Sequence, residues 1–318
     1  MSNEHTAAAV TDGSLPGKAS PLPAIGFVGF GEVARRLSAA LHGKGAAVAA
    51  YDLLLDLPGG LDELKRRSGD TPLEFLPLPE LASRTGVVLS TVTTDVALDA
   101  ATACAPHLND RHVFVDLNAT SPAVKRAIAD VLAPSGAAFV EGAILGAIAV
   151  TGAQTRILVC GERGAQVAEL LSDLGLNFAF YGSEIGRAST FKLLRSVFSK
   201  GMEALLLESL LAARRAGVEE DVWREIVETL DERPFAEVGG NWMRTHGTAH
   251  ARRYHEMVQV EDLLHEMGIE PLVTGATTAF FERSTRLALS QAFREGANDP
   301  TDVLAALDER LAATPRRV

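Results

Sequence analysis

Apolar and polar positions follow two different rhythms along the chain, and the change of rhythm divides it. From residue 23 to about residue 161, short β-rich apolar runs recur between helical stretches. The runs are AIGFVGF (24–30), AAVAAYD (46–52), GVVLSTV (86–92), HVFVDLN (112–118) and AAFVEGA (137–143), with RILVCG (156–161) as a last strand. Near-continuous apolar runs of this length suit strands buried on both faces. Between them EVARRLSAALHGKG (32–45) and SPAVKRAIADVLAPSG (121–136) are helical candidates. The pattern predicts an α/β, doubly wound, mostly parallel sheet. Beyond residue 181 the rhythm turns helical, with apolar residues at three- and four-residue spacing over 192–217, 219–230, 250–267 and 274–293. The expected organisation is a disordered tail (1–22), a nucleotide-binding α/β domain (23–182) and an all-α domain (183–318), with the boundary near Gly182.

Composition narrows the function classes. With 47% hydrophobic and 22% charged residues, the chain of 318 residues is globular and long enough for two domains. Lys plus Arg number 30 against 41 Asp plus Glu, and a net charge of −11 argues against nucleic acid as a partner. The first twenty residues lack the basic start and apolar stretch of a signal peptide, and no apolar run reaches the roughly 18 residues of a membrane span. Cys104 and Cys160 stand far apart with no CxxC spacing, as reduced core residues in a cytoplasmic protein would.

Chemistry first enters directly after the first strand. Gly29-Phe30-Gly31-Glu32-Val33-Ala34 is a G-x-G-x-x-A turn opening a helix. The first glycine permits a tight turn, the second lets the backbone approach a pyrophosphate, and the small third residue lets helix and strand pack closely. The free N–H groups of the helix start then face the anion. Tyr51-Asp52 ends the second run, where a carboxylate accepts from a ribose diol and repels a 2′-phosphate; no Arg follows closely. NAD is therefore favoured over NADP. The plainer alternatives are a bare strand–helix turn and an acid that merely ends a strand.

Taken in order, AIGFVGFGEVARRLSAAL, VVLSTVT, FVDLNATSP, FVEGAILGA and GRASTFKLLRS resemble the β-hydroxyacid dehydrogenase and 6-phosphogluconate dehydrogenase superfamily. FKLLRSVFSKGMEALLLESL looks most like a branch with a distinctive helical C-terminal domain and mostly undefined substrates. The resemblance implies a Rossmann domain, a helical domain that supplies homodimer contacts, and hydride exchange between a nicotinamide and an alcohol or carbonyl carbon. It adds Thr91, Val92 and Thr93 to the cofactor-binding residues Gly29, Phe30, Gly31, Glu32, Val33, Ala34 and Asp52.

The resemblance also places a catalytic lysine on the long inter-domain helix, and Lys192 occupies that position, six residues after Gly186. Such a group takes the hydroxyl proton as hydride leaves, or donates to the carbonyl oxygen in reverse. The alternative is a solvated helix lysine. Four residues on, the superfamily usually has an asparagine, and this chain has Ser196, which either faces substrate or bonds back to its own helix. In the substrate loop Glu141 to Ala147, Leu145 stands where a serine usually holds a carboxylate, which favours a bulkier or less anionic substrate. Asn118, Gly142, Ser196 and His255 are the expected substrate-side residues, with Thr120 a further contact; Ser121-Pro122 is equally an ordinary helix start. His246, His250, His255 and Glu256 could be read as metal ligands, but no H-E-x-x-H arrangement is present and hydride transfer needs no metal, so no metal site is expected. Beside the dehydrogenase stand two other readings, an imine reductase on the same scaffold and a dinucleotide-sensing protein without turnover.

Overall fold

The structure, a computed structural model, describes residues 24–294 and 296–313. The expected tail at 1–22 lies outside the described residues. The chain divides into two compact units, at Ser196 and Val197.

In chain order the first unit comprises β1 (Ile25–Val28), α1 (Glu32–Gly43), β2 (Val48–Tyr51), α2 (Gly60–Ser68), β3 (Glu74–Phe75), α3 (Leu78–Arg84), β4 (Val87–Ser90) and α4 (Ala97–Cys104). It continues through β5 (Val113–Asp116), α5 (Pro122–Leu132), β6 (Ala138–Leu145), α6 (Ile148–Thr151), β7 (Arg156–Cys160), α7 (Gly164–Asp173), β8 (Phe178–Gly182) and the start of α8 (Arg187–Ala216). The strands form one sheet in the order β3-β2-β1-β4-β5-β6-β7-β8. Pairing is parallel except between β6 and β7, which run antiparallel.

Alternation along the strands builds two cores. Ile25, Phe27, Val87, Leu89, Val113 and Val115 point to one face, where they meet Leu37 and Leu41 of α1 and Val167 and Leu171 of α7. Val28, Val88 and Phe114 point to the other and meet Leu81, Ala101, Ile128 and Leu132 of α3, α4 and α5. A strand sandwiched between helix layers has no solvated face, which is why its sequence reads as unbroken apolar residues. The six anticipated strands are present. Two more were not anticipated: β3 is only two residues long, and β8 is a half-exposed edge strand.

The second unit continues α8 and adds α9 (Glu219–Asp231), α10 (Phe235–Glu266), α11 (Leu272–Arg286) and α12 (Pro300–Ala313), so it is helical as expected. Helix α10 begins well before the anticipated residue 250. Gly239, Gly240 and Gly247 obscure it in the sequence, yet Gly247 has a packing role: an added Cβ would lie 2.9 Å from Cδ2 of Phe293. Phe293, Leu289, Ala297, Val303 and Leu307 form a small core with α12. No helix among the described residues is long and apolar enough to cross a membrane.

Candidate active site

The Gly29 turn sits between β1 and β4, where the direction of chain winding reverses, the place at which open parallel sheets bind ligands. Gly29 has φ +86°, and an added Cβ would lie 2.7 Å from Cγ1 of Val92 and 2.9 Å from the Thr91 carbonyl oxygen. Glycine is therefore required there by the protein alone. Gly31 differs: an added Cβ would meet nothing within 4 Å. The backbone is open on that side, and α1 starts without a side-chain cap, which leaves its first N–H groups free for an anion. Ala34 is fully buried, as close packing of α1 on the sheet demands.

Asp52 ties this turn to the second strand. Its Oδ2 accepts from the Phe30 backbone N–H (2.7 Å) and its Oδ1 from that of Leu54 (3.0 Å). Thr91 adds a hydroxyl that donates to the Gly29 carbonyl (2.8 Å). These residues fit a dinucleotide: an unfilled backbone cradle, a free helix N-terminus and a carboxylate at the end of β2.

The ends of β5 and β6 carry a buried polar group that the sequence did not betray. The Lys125 ammonium, on α5, donates to Oδ2 of Asp116 (2.6 Å) and to the carbonyls of Asp116 (2.8 Å), Asn118 (2.9 Å) and Gly142 (3.3 Å). Lys125 is wholly enclosed, as is Asp116. The Asn118 side-chain amide donates to Oδ1 of Asp116 and to the Ser90 hydroxyl (2.9 Å). The Thr120 hydroxyl is buried without a hydrogen-bond partner among the described residues. Ser121 caps α5 by accepting from the Val124 N–H (3.3 Å), as an ordinary helix start does. Gly142 has a structural reason of its own, since an added Cβ would lie 2.4 Å from Cδ2 of Leu117.

Glu141, also fully buried, accepts from the first turn of α8: from the N–H groups of Gly186 (2.8 Å), Ala188 (2.6 Å) and Ser189 (3.3 Å) and from the Ser189 hydroxyl (3.3 Å). Lys192 follows one turn later and is half-buried. Burial, and next the positive charge of Lys125, hold its ammonium below the ordinary lysine range. The Ser196 hydroxyl donates to the Lys192 carbonyl (2.8 Å), the back-bonding alternative. Lys192, Ser196, Asn118, Gly142 and the glycine turn thus belong to the first unit, whereas His255 is an exposed side chain of the second, with its ring against Tyr254. The second unit also buries His246, whose Nε2 meets the Ser284 hydroxyl (2.9 Å), and His250, whose Nδ1 meets the His246 carbonyl (2.9 Å). Among the described residues no three His, Cys, Asp or Glu side chains converge as metal ligands.

Residues 24–182 match the NAD binding domain of 6-phosphogluconate dehydrogenase, half of the chain, and residues 213–284 match a domain of unknown function. The chain belongs to that NAD-binding family. Two solved relatives extend the family over nearly the whole chain. A conserved protein of unknown function, described as structurally similar to 3-hydroxyacid dehydrogenases, is 33% identical and covers 84% of this chain and 99% of its own, with TM-score 0.56. A conserved hypothetical protein from Sinorhizobium meliloti is 31% identical over 91% of this chain and 97% of its own, with TM-score 0.58. A reductive aminase from Aspergillus terreus, solved with NADPH, covers 90% of this chain and 99% of its own at TM-score 0.71; at 15% identity it shares the fold alone. Residues 24–182 of this family member are therefore an NAD-binding Rossmann domain.

Proposed function

We propose that the protein is an NAD(H)-dependent oxidoreductase that exchanges hydride with the carbon of an alcohol or carbonyl group, with Lys192 moving the proton. The observation that carries this reading is an ammonium depressed by burial and by a fixed neighbouring charge, in the same compact unit as an open glycine turn. The nicotinamide, when bound, supplies the hydride acceptor or donor. The chain does the rest. Gly29 to Ala34, Asp52 and Thr91 to Thr93 hold the dinucleotide. Lys192, whose ammonium burial makes easier to deprotonate, accepts the hydroxyl proton at Nζ as the alcohol is oxidised, and as ammonium it returns that proton to the carbonyl oxygen in reduction. Asn118, Gly142 and Ser196 shape the substrate side of the first unit, joined by the Thr120 hydroxyl; His255 is the second unit's own candidate. Leu145 offers no hydrogen bond where the superfamily resemblance would put a serine, which favours a substrate bulkier or less anionic than a small hydroxyacid. NAD(H) is preferred, because Asp52 is followed by an exposed Leu53 rather than by a cation that would accept a 2′-phosphate.

Exposed large apolar side chains on the second unit, among them Leu207, Leu211, Trp223, Trp242 and Leu263, support a homodimer in which a second copy covers them. Sedimentation velocity that finds only monomer at micromolar concentration would end that part of the proposal. The catalytic reading is tested by following nicotinamide reduction and oxidation across hydroxy acids, sugar acids, aldehydes and imines, with wild type and Lys192→Ala. We expect turnover of an alcohol or carbonyl compound, and a loss in Lys192→Ala on the order of 10²- to 10⁴-fold. Full turnover in Lys192→Ala refutes the mechanism. Turnover of imines alone identifies an imine reductase, and dinucleotide binding without any turnover identifies a sensor.

A further inference from the structure

A helix start is normally capped by a neighbour in sequence, a Ser, Thr, Asp or Asn at its own N-cap. Helix α8 is held differently. Its first turn donates to a carboxylate 45 residues away in sequence, on a central strand, and the two Glu141 oxygens take Gly186, Ala188 and Ser189 between them. Glu141 is fully buried, and what surrounds its charge is the positive end of α8. Because β6 pairs Glu141 with Asp116 at the end of β5, this bond fixes the helix start at the level of the strand ends. On the other side Gly186, with φ +102°, packs against α5: an added Cβ would lie 2.8 Å from Nη1 of Arg126 and 3.2 Å from Cβ of Pro122.

Lys192 is four residues beyond Ala188 and three beyond Ser189, so it shares their helix face. Helical side chains lean toward the N-terminus, and the lysine stem therefore overlies the turn that Glu141 grips. The burial pattern agrees, with Ala188 and Ser189 enclosed, Lys192 half-enclosed and Arg187, Thr190 and Phe191 outward. We infer that Glu141 is the positioning residue for Lys192: its buried carboxylate sets both the height of α8 against the sheet and the rotation of the face that carries the ammonium. The inference rests on the proposed role of Lys192, but its test does not.

The charged and titratable groups around this turn are Glu141 on β6, Asp116 on β5, Lys125 and Arg126 on α5, Cys160 on β7 and Arg187 on α8 itself. Removing the Glu141 charge leaves the others in place. In Glu141→Gln the side-chain amide N–H₂ faces backbone N–H groups that are themselves donors, so at least one of the three backbone bonds from the helix is replaced by a donor–donor clash. The turn must move, and Lys192 gains water.

The readout is competitive acetylation of lysines by acetic anhydride across pH, quantified by mass spectrometry, with exposed Lys44 and Lys65 as internal standards. It needs no substrate. In wild type Lys192 labels with a midpoint below the two standards; in folded Glu141→Gln, as Lys192 gains water, we expect that midpoint to rise toward the ordinary value near 10.4. On an accepted substrate, kcat should fall on the order of 10²-fold, with KM changed far less. Glu141→Asp keeps the charge but shortens the reach, and should show a smaller rise. An unchanged Lys192 midpoint in Glu141→Gln, or in Glu141→Asp should the first variant not fold, overturns the inference. Failure of the catalytic reading looks different: Lys192→Ala would turn over normally while the Glu141 variants still shifted the labelling of Lys192.

Discussion

Replacing Lys125 by Met should destabilise the first unit severely, and replacing Asp116 by Asn at the same time should rescue most of the loss. The Lys125 ammonium has four acceptors within 3.3 Å and no access to solvent. Methionine fits the lysine stem but leaves a buried carboxylate and three strand-end carbonyls without their donor. Breaking a buried ion pair from one side costs roughly 3–5 kcal/mol, a large share of the 5–15 kcal/mol that holds a domain folded. Removing both charges costs far less, because the amide introduced by Asp116→Asn would keep a bond to the Asn118 side chain and nothing ionised would remain buried. We expect the single variant to be at least about 2 kcal/mol worse than the double one, a factor of roughly 30 in the opening equilibrium. The probe must report on the right unit. Both tryptophans, Trp223 and Trp242, lie in the second unit, so their fluorescence does not follow this site. Amide hydrogen exchange along β5 and β6 does, since core strands open only with the unit around them. Equal protection in the single and double variants would refute the reading of Lys125 and Asp116 as a buried ion pair whose breaking from one side strands a charge.

Three further outcomes follow from the geometry. Gly31→Ala should leave stability within about 0.5 kcal/mol, because its Cβ meets nothing, and should weaken NADH binding at least tenfold by filling the cradle; Gly29→Ala should damage both, and calorimetry with NADH titration separates the two effects. Burial, with His250, Arg253 and Arg283 nearby, pushes His246 down to about 4 from 6.5. The second unit should therefore be fully stable above pH 6.5 and lose on the order of 2–3 kcal/mol as pH falls toward 4, since only the unfolded chain binds that proton; tryptophan-detected urea unfolding with the same slope in His246→Phe would refute this. Asp52→Ala should weaken NADH binding more than NADPH binding, and an unchanged ratio removes Asp52 from cofactor choice.

Much of this was legible in the chain because a sandwiched strand advertises itself. VFVD at β5 and VVLS at β4 have every side chain buried, so apolar runs and strands coincide. The same logic failed for β8, whose FAFYG is half-exposed on the sheet edge, and for the first half of α10, where glycines needed for close packing read as breaks. The glycine turn and Lys192 were visible as motifs. Lys125 and Glu141 were not, because a charged residue reads as solvated unless its partners are known, and theirs come from distant positions. One signal was available: Lys125, Ile128 and Leu132 occupy one stripe of α5, and a lysine on an apolar stripe needs a buried counter-charge.

The double engagement of Asp52 bears on how readily this scaffold can exchange one dinucleotide for the other. Its two oxygens knit the glycine turn to the segment after β2. A substitution made to admit a 2′-phosphate would therefore slacken that turn: even Asn keeps an acceptor for only one of the two N–H groups, so a redesign for NADPH must resupply the lost bond from elsewhere, with the new cation introduced farther along.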